Sequence, residues 1–208
     1  MKISTKIIER MCRMFSHLDI LSKENKPYVS SKELAFALGA TDYTIRKDLS
    51  FLGIIGYGRK GYEVLGLKRE LAKKFHLGHK HRACIIGLGR LGTALLDYEK
   101  FQEEGFEIVA GFDKSTNKIE RIRTNIDVYT IDRLKPIIKE RNIELGIIAV
   151  PAAFAQEVAD NLVESGIKGI LNFSPAKLIV PKDIMYQDMD FTNALRFIAA
   201  CFATQAKP

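Results

Sequence analysis

The stretch CIIGLGRLG, residues 84–92, decides how the second half of this 208-residue chain is interpreted. It begins as a short apolar run, which is typical of a buried strand. Gly87, Gly89 and Gly92 then follow with the spacing G-x-G-x-x-G. Three such glycines allow a tight turn, close approach of the backbone to a pyrophosphate, and close packing of a helix on a strand. So short a motif is informative only if a strand precedes it and a helix follows it.

The surrounding sequence supplies that context, because apolar runs alternate with helical patterns over residues 82–190. The predicted strands are ACIIG (83–87), FEIVAGFD (106–113), DVYTI (127–131), LGIIAVP (145–151) and KGILNFS (168–174). The predicted helices include LGTALLDYEKFQ (91–102), RLKPIIKERN (133–142) and AAFAQEVADNLVESG (152–166). This alternation indicates an α/β fold with a Rossmann-like, doubly wound parallel sheet.

An acidic residue completes the dinucleotide pattern. Asp113 ends the second predicted strand, 21 residues after Gly92, where a carboxylate accepts hydrogen bonds from the adenosine ribose. The carboxylate would repel a 2′-phosphate, which favours NAD(H) over NADP(H), although the neighbouring Lys114 weakens that argument. A Rossmann fold that binds another ligand, such as coenzyme A, is the alternative. The candidate binding residues here are Gly87, Leu88, Gly89, Arg90, Leu91, Gly92, Asp113 and Lys118.

The same half of the chain lacks groups for catalysis. A dehydrogenase needs a proton donor or acceptor beside the nicotinamide, and the four histidines all lie at or before residue 81. The sequence therefore predicts cofactor binding without chemistry, which suggests a sensor and not an enzyme. The competing hypothesis is a small NAD-dependent oxidoreductase whose basic N-terminal part serves only for oligomerisation.

Charge is divided unevenly along the chain, whose net charge is +7. The first 82 residues carry 17 Lys and Arg against eight Asp and Glu, whereas the remainder carries 15 against 17. This asymmetry predicts a polyanion-binding first half. A domain with ordinary surface lysines is the alternative.

A helix-turn-helix pattern lies within the basic half, after an amphipathic first helix over residues 7–21. Ser30 and Glu33 form a capping box that opens a helix ending near Leu38. A turn at residues 39–41 leads to a second helix, residues 42–52, with a polar and basic outer face that suits a DNA groove. An αα-hairpin in some other helical domain is the alternative. The candidate DNA contacts are Ser31, Lys32, Tyr43, Thr44, Arg46, Lys47 and Ser50.

The following segment, GIIGYGRKGYEVLGL (53–67), predicts a β-hairpin wing whose tip carries Arg59 and Lys60. A short helix and a basic linker come next. His76, His79 and His81 have no acidic or cysteine partners, so we expect a solvated linker and no metal site.

The last segment, from Phe191 to Ala203, is apolar except for Thr192, Asn193 and Arg196. A helix that is apolar nearly all round must be buried, and we expect its burial between two subunits. Packing under the chain's own linker is the alternative. We expect no membrane span or signal peptide, and three widely separated cysteines indicate reduced thiols and a cytoplasmic protein.

Taken together, several strings resemble the Rex family of bacterial redox-sensing transcriptional repressors: VSSKELA, IRKDLSFLG, GLGRLGTALLDYEKF, IAVPA, AQEVADNLVESGIKGILNFSP and LIVP. The resemblance implies a homodimer with a winged helix (1–81), a dinucleotide-binding domain (82–190) and a swapped C-terminal helix (191–208). It also implies binding to palindromic double-stranded operator DNA when NADH is scarce and release by NADH, with NADH and NAD⁺ as the cofactors.

The resemblance further implies roles for individual residues. Val150 and Pro151 would lie beside the nicotinamide ribose or ring. Tyr98 and Asp190 match a tyrosine and an aspartate that pair when NADH is bound. In the DNA-binding form the family's aspartate pairs with an arginine of the first helix, and that position is Ser16 here. Because serine cannot form an ion pair, Arg13 or Arg10 would replace it, or the coupling would be weaker.

Overall fold

The computed structural model describes residues 3–204, which form two compact units divided between His79 and Lys80. Residues 1–2 and 205–208, which the sequence analysis assigned to the N-terminal domain and the C-terminal segment, lie outside the described residues. The two units are described separately.

The N-terminal unit is mainly helical, as its apolar periodicity predicts. Its elements are α1 (Thr5–Lys23), β1 (Tyr28–Val29), α2 (Ser31–Leu38), α3 (Asp42–Phe51), β2 (Tyr62–Glu63) and α4 (Val64–Phe75). Met11, Met14 and Leu18 of α1 are fully buried against the other helices. Ile45 and Leu49 of α3 join the same core, so the predicted helix-turn-helix is confirmed.

The predicted capping box is present at the start of α2. The Glu33 amide donates to the Ser30 hydroxyl, and the Glu33 carboxylate accepts from the Ser30 amide at 2.8 Å. Lys26 also donates to that carboxylate. These hydrogen bonds, with the Lys26 contact as the largest cause, lower the Glu33 pKa to about 2. At its other end α2 stops at Gly39. Its φ of 62° lies in the left-handed region, which glycine adopts more readily than other residues.

The hairpin predicted over residues 53–67 is wrong in its pairing. The short strand β2 pairs antiparallel with β1, not with the preceding residues, and a 3₁₀ turn at Gly58–Lys60 forms the tip. The helix α4 begins already at Val64, because Val64, Leu67 and Leu71 bury one helical face in the core. Arg59 and Lys60 nevertheless lie exposed on this turn.

The C-terminal unit contains a six-stranded, wholly parallel sheet of order β5-β4-β3-β6-β7-β8. Its strands are β3 (His81–Ile86), β4 (Phe106–Asp113), β5 (Val128–Thr130), β6 (Leu145–Ile148), β7 (Gly169–Asn172) and β8 (Met185–Asp188). Its helices are α5 (Arg90–Leu96), α6 (Glu99–Glu103), α7 (Thr116–Ile119), α8 (Leu134–Glu140), α9 (Ala152–Glu164) and α10 (Phe191–Thr204). The predicted doubly wound parallel sheet is confirmed.

Alternate residues of the central strand supply two cores. Cys84 and Ile86 of β3 pack in one apolar cluster, whereas Ala83 and Ile85 pack in the other. This two-sided burial explains why the strands read as continuous apolar runs. The order of the strands reverses between β3 and β6, so the loops after these strands flank a crevice at the carboxyl edge of the sheet.

Three local details differ from the prediction. The single helix predicted over residues 91–102 is two helices, because α5 ends at Leu96 and α6 starts at Glu99. At the break, the Asp97 carboxylate accepts a hydrogen bond from Thr124 at 2.7 Å. The helix α7 and the edge strand β8 were not predicted, since both are short and β8 is mostly exposed.

The C-terminal helix α10 has no buried residue within the described chain. Its side chains Phe191, Leu195, Phe197 and Phe202 are each more than half exposed. Packing of this helix under the chain's own linker is therefore not what the structure shows. Among the described helices, none combines the length and apolar character required to cross a membrane.

Candidate functional site

The glycine loop joins β3 to α5 at the carboxyl edge of the sheet. Gly87 has a φ of 95°, and a Cβ at this position would lie 2.6 Å from the Val150 side chain. A Cβ at Gly92 would lie 1.9 Å from the Gly87 carbonyl oxygen, so only glycine allows α5 to start so close to the loop. Gly89, by contrast, is exposed and has open space where a side chain would be. The loop therefore presents bare backbone to the crevice at Gly89.

The Asp113 carboxylate supports this loop from the end of β4. One oxygen accepts a hydrogen bond from the Leu88 amide at 2.9 Å, and the other accepts from the Ser115 amide at 2.9 Å. The Lys118 ammonium lies 3.5 Å from the first oxygen. Asp113 is only 5% exposed. The negative charge is thus held at a fixed position at the end of β4.

The other predicted cofactor residues surround the same crevice. Arg90 is exposed at the start of α5, and Leu91 is partly exposed beside it. The Leu88 side chain is buried, so only its backbone belongs to the loop surface. Val150 and Pro151 follow β6, and Pro151 precedes the first turn of α9.

These residues fit a dinucleotide. The open space at Gly89 would admit a pyrophosphate against the backbone, and Asp113 ends the strand after which the dinucleotide pattern expects the ribose-binding acid. The thiol of Cys84 in β3 is fully buried, and this burial raises its pKa to about 12, which disfavours a reactive thiolate. In the part of the chain that the structure describes, no group of three or more His, Cys, Asp or Glu is arranged to hold a metal ion.

The outer face of α3 carries most of the predicted DNA contacts. Tyr43 is 68% exposed, and Lys47 and Ser50 are exposed on the same helix. Arg46 is exposed too but forms an ion pair with Asp42, one turn earlier, at 2.9 Å. The Thr44 hydroxyl hydrogen-bonds to that of Thr41 at the start of the helix. Ser31 and Lys32 lie in the first turn of α2.

One contact that the sequence analysis missed ties α3 to α1. The Arg10 guanidinium donates from Nε to the Asp48 carboxylate at 2.6 Å, and Nη2 contacts the same oxygen. The Asp48 side chain is 8% exposed. A charged residue on the inner face of a predicted recognition helix is the signal that would have found it. Because Arg10 is already paired within its own unit, it is a poor candidate for the role that the sequence analysis expected of an arginine at the position of Ser16.

The four proposed switch residues lie in three different parts of the chain. Tyr98 lies between α5 and α6, is half exposed, and packs edge-on against Phe101. The Asp190 carboxylate accepts a hydrogen bond from the Asn193 amide at 2.9 Å, which caps the start of α10. Arg13 and Ser16 are exposed on α1.

A second contact missed from the sequence lies at the crevice. The Lys114 ammonium lies 3.9 Å from the centre of the Phe154 ring. Phe154 belongs to the first turn of α9 and is 41% exposed. An aromatic residue at an exposed helical position, three residues after the Val-Pro pair, is the signal that was available for it.

Curated sequences include relatives that match this chain over nearly their whole length. The chain is 39% identical over 197 residues to the redox-sensing transcriptional repressor Rex of Carboxydothermus hydrogenoformans, covering 95% of each chain. It is 36% identical to Rex of Limosilactobacillus reuteri, covering 94% of this chain and 91% of that one. Its identity to Rex of Desulforamulus reducens is 33% over 207 residues, covering 100% and 99%.

Solved structures and family models agree with these relatives. The Rex-family repressor RSP in complex with NAD⁺ and operator DNA superposes with a TM-score of 0.88 and 31% identity, covering 99% of this chain and 94% of that one. The RSP complex with NADH gives a TM-score of 0.86, covering 99% and 96%. A family model described as a putative DNA-binding protein N-terminus matches residues 2–50, and one described as a CoA binding domain matches residues 79–176. The chain belongs to the Rex family of redox-sensing transcriptional repressors.

Proposed function

We propose that the protein is a repressor that binds operator DNA through its N-terminal unit and is released from it when NADH occupies its C-terminal unit. One observation carries this proposal. A single chain joins a helix-turn-helix with a basic outer face to a glycine loop supported by Asp113, and it matches a DNA complex of a Rex-family repressor over 99% of its length. The protein is a regulator and not an enzyme, as its relatives are transcriptional repressors.

DNA binding would use the outer face of α3 in a major groove. Lys47 and Arg46 are suited to phosphates or guanine edges, and Tyr43, Thr44 and Ser50 to hydrogen bonds with backbone or bases. Ser31 and Lys32 at the start of α2 would contact the phosphate backbone, which helix N-termini favour. Arg59 and Lys60 on the exposed turn would contact the neighbouring minor groove.

Cofactor binding would use the crevice after β3. The backbone from Gly87 to Gly92 would hold the pyrophosphate, and Asp113, with Lys118 beside it, would hold the adenosine ribose. Val150 and Pro151 would contact the nicotinamide end, with Arg90 and Leu91 beside the phosphates. NADH and NAD⁺ differ by a hydride on the nicotinamide ring and in that ring's charge. The protein's task is to recognise this difference, so the lack of a histidine in residues 82–208 is no obstacle.

Dimerisation would bury α10. Five large apolar side chains of this helix are 46–78% exposed: Phe191, Leu195, Phe197, Ile198 and Phe202. Exposed apolar surface of this extent is typical of an interface with another chain. A homodimer that shares α10 would also place two recognition helices on the two halves of a palindromic site.

The switch would act by differential affinity: NADH stabilises a dimer whose recognition helices are misplaced for the operator. Tyr98 and Asp190 are the candidate residues that respond to the cofactor. Ser16 stands at the position of the expected arginine, and Arg13, exposed three residues earlier, is the candidate to replace it. Because Asp190 also caps α10, any change in its partners bears directly on the proposed dimerisation helix.

Coenzyme A is the second candidate ligand, favoured by the description of the family model over residues 79–176. Calorimetric titration of the protein with NADH, NAD⁺ and coenzyme A distinguishes the two. We expect both dinucleotides to bind and coenzyme A neither to bind nor to displace them. Tight binding of coenzyme A alone would contradict the proposed redox role.

Three free thiols, Cys12, Cys84 and Cys201, support the further proposal of a cytoplasmic location, where thiols stay reduced.

A further inference from the structure

The contact between Lys114 and Phe154 spans the crevice from one loop to another. Lys114 directly follows β4, and Phe154 belongs to α9, which follows β6. These strands flank β3 on opposite sides, since Ile86 at its end pairs with Phe112 of β4 and with Ile148 of β6. The 3.9 Å contact between ammonium and ring therefore lies across the carboxyl end of β3, where the glycine loop starts.

Packing of the hydrophobic core does not explain why Lys114 and Phe154 meet across the end of β3. Lys114 is exposed and, within residues 3–204, forms no ion pair that would hold it at this place. Phe154 is 41% exposed, while its neighbour Ala155 makes the buried contact of this helical turn. An exposed cation–π contact of this kind is weak and readily exchanged. The Lys114 ammonium therefore lies over a partly exposed phenylalanine ring, from which a ligand could displace it.

The position of the pair corresponds to the adenosine end of the site. The Asp113 carboxylate, one residue before Lys114, is held by the Leu88 and Ser115 amides at the place proposed for the adenosine ribose. A base attached to that ribose would lie beside the loop after β4. Adenine presents a flat π-face, and a phenylalanine ring is a suitable stacking partner for it.

We propose that Phe154 is the stacking surface for the adenine of the bound dinucleotide, and that Lys114 covers this surface when no dinucleotide is bound. This inference rests on the proposed cofactor role of the crevice. The base takes the place of the ammonium, which returns to solvent. Lys114 therefore competes with the ligand, and the apparent affinity is reduced by the fraction of molecules in which the ring is covered.

The proposal has a signature that distinguishes it from a role in redox sensing itself. The adenosine half is common to NADH, NAD⁺ and ADP-ribose, so changes at Phe154 or Lys114 alter all three affinities by the same factor. The ratio of the NADH and NAD⁺ affinities stays that of the unmodified protein. A residue at the nicotinamide end would change that ratio and leave ADP-ribose unaffected.

Calorimetry with NADH, NAD⁺ and ADP-ribose on the full-length chain tests this. We expect Phe154→Ala to weaken the affinity for each of the three ligands by about tenfold, which is the range of one base–aromatic stack. In Phe154→Tyr, which keeps the ring, each affinity should stay within about twofold of that of the original protein. Lys114→Ala should bind all three about two- to threefold more tightly. A thermal melt of each variant confirms that it is folded.

Unchanged affinities in folded Phe154→Ala would overturn the inference, and so would weaker binding by Lys114→Ala, which would make the lysine a ligand contact. An altered NADH/NAD⁺ ratio in either variant would overturn it as well. Failure of the unmodified protein to bind any of the three probes is a different result, because it would contradict the proposed function itself.

Discussion

Arg10 of the first helix and Asp48 of the recognition helix form a largely buried ion pair, with Nε donating to the carboxylate at 2.6 Å. Asp48 lies on the inner face of α3, between the core residues Ile45 and Leu49 and opposite the proposed DNA contacts. The pair therefore ties the orientation of α3 to α1. Within the N-terminal unit, an ion pair thus supports the apolar core in positioning the DNA-binding face.

Replacing Arg10 tests the contribution of this ion pair to stability. Arg10→Ala leaves the Asp48 carboxylate buried without its charged partner, and we expect a loss of about 2 to 3 kcal/mol in the free energy of unfolding. Urea unfolding followed by circular dichroism measures it. Lys68→Ala is the matched control, because it removes a more exposed pair between α4 and Asp19 and should cost less than about 1 kcal/mol. Equal losses in the two variants would contradict the role assigned to Arg10.

We expect opposite phenotypes from alanine at two of the three motif glycines, Gly92 and Gly89. In Gly92→Ala the new methyl group meets the Gly87 carbonyl oxygen, which cannot move without distorting the loop, so we expect destabilisation of about 3 kcal/mol. In Gly89→Ala the new methyl group meets no protein atom, so the free energy of unfolding should stay within about 0.5 kcal/mol of that of the original protein. This variant should still bind NADH about tenfold more weakly, since the methyl group occupies the proposed pyrophosphate position. Melting curves and calorimetry separate the effects, and full NADH affinity in Gly89→Ala would refute the proposed location of the pyrophosphate.

Lys47 is expected to neutralise a phosphate of the operator. Lys47→Ala should weaken binding to specific and unrelated duplexes alike, and it should reduce the slope of log K against log salt by about 0.9 for each phosphate that is no longer neutralised. Fluorescence anisotropy at several salt concentrations gives this slope. Lys73→Ala, in the last turn of α4, removes an exposed charge outside α3 and serves as the control. A slope unchanged by Lys47→Ala would exclude this residue from the groups that bind phosphate.

The capping box predicts a dependence of stability on acid pH. The Glu33 pKa is lowered to about 2, chiefly by Lys26, so the ionised carboxylate stabilises the folded state at neutral pH. This contribution is present above the ordinary carboxyl pKa near 4.5 and is lost as the pH falls towards 2. Glu33→Gln should therefore have a lower melting temperature than the original protein at pH 7. The difference between the two melting temperatures should shrink between pH 4.5 and pH 3. A difference independent of pH would show that the charge of Glu33 contributes nothing.

The features that follow from local sequence were predictable. The capping box at Ser30 and Glu33, the αL turn at Gly39 and the strand–glycine–helix unit at residues 81–96 each depend on neighbouring residues and their periodicity. The sheet and its switch point followed from the alternation of strands and helices.

The features that depend on contacts distant in sequence were not predictable. The wing strand β2 pairs with Tyr28 and Val29, more than 30 residues away, so the nearby glycines suggested the wrong partner. The edge strand β8 is mostly exposed and carries no apolar periodicity. At the sites, the Arg10–Asp48 and Lys114–Phe154 contacts join residues 38 and 40 positions apart, and only the fold brings them together.

NADH bound to the C-terminal unit is proposed to control DNA binding by the N-terminal unit, and one titration measures this control directly. NADH and, separately, NAD⁺ are added to the protein bound to a labelled palindromic duplex of operator length, and anisotropy reports release. We predict that NADH releases the duplex at concentrations where NAD⁺ does not, and that Gly89→Ala, folded and bound to the same duplex, requires about tenfold more NADH. If the DNA affinity of the unmodified protein does not change with either dinucleotide, NADH does not control DNA binding and the proposed function is wrong.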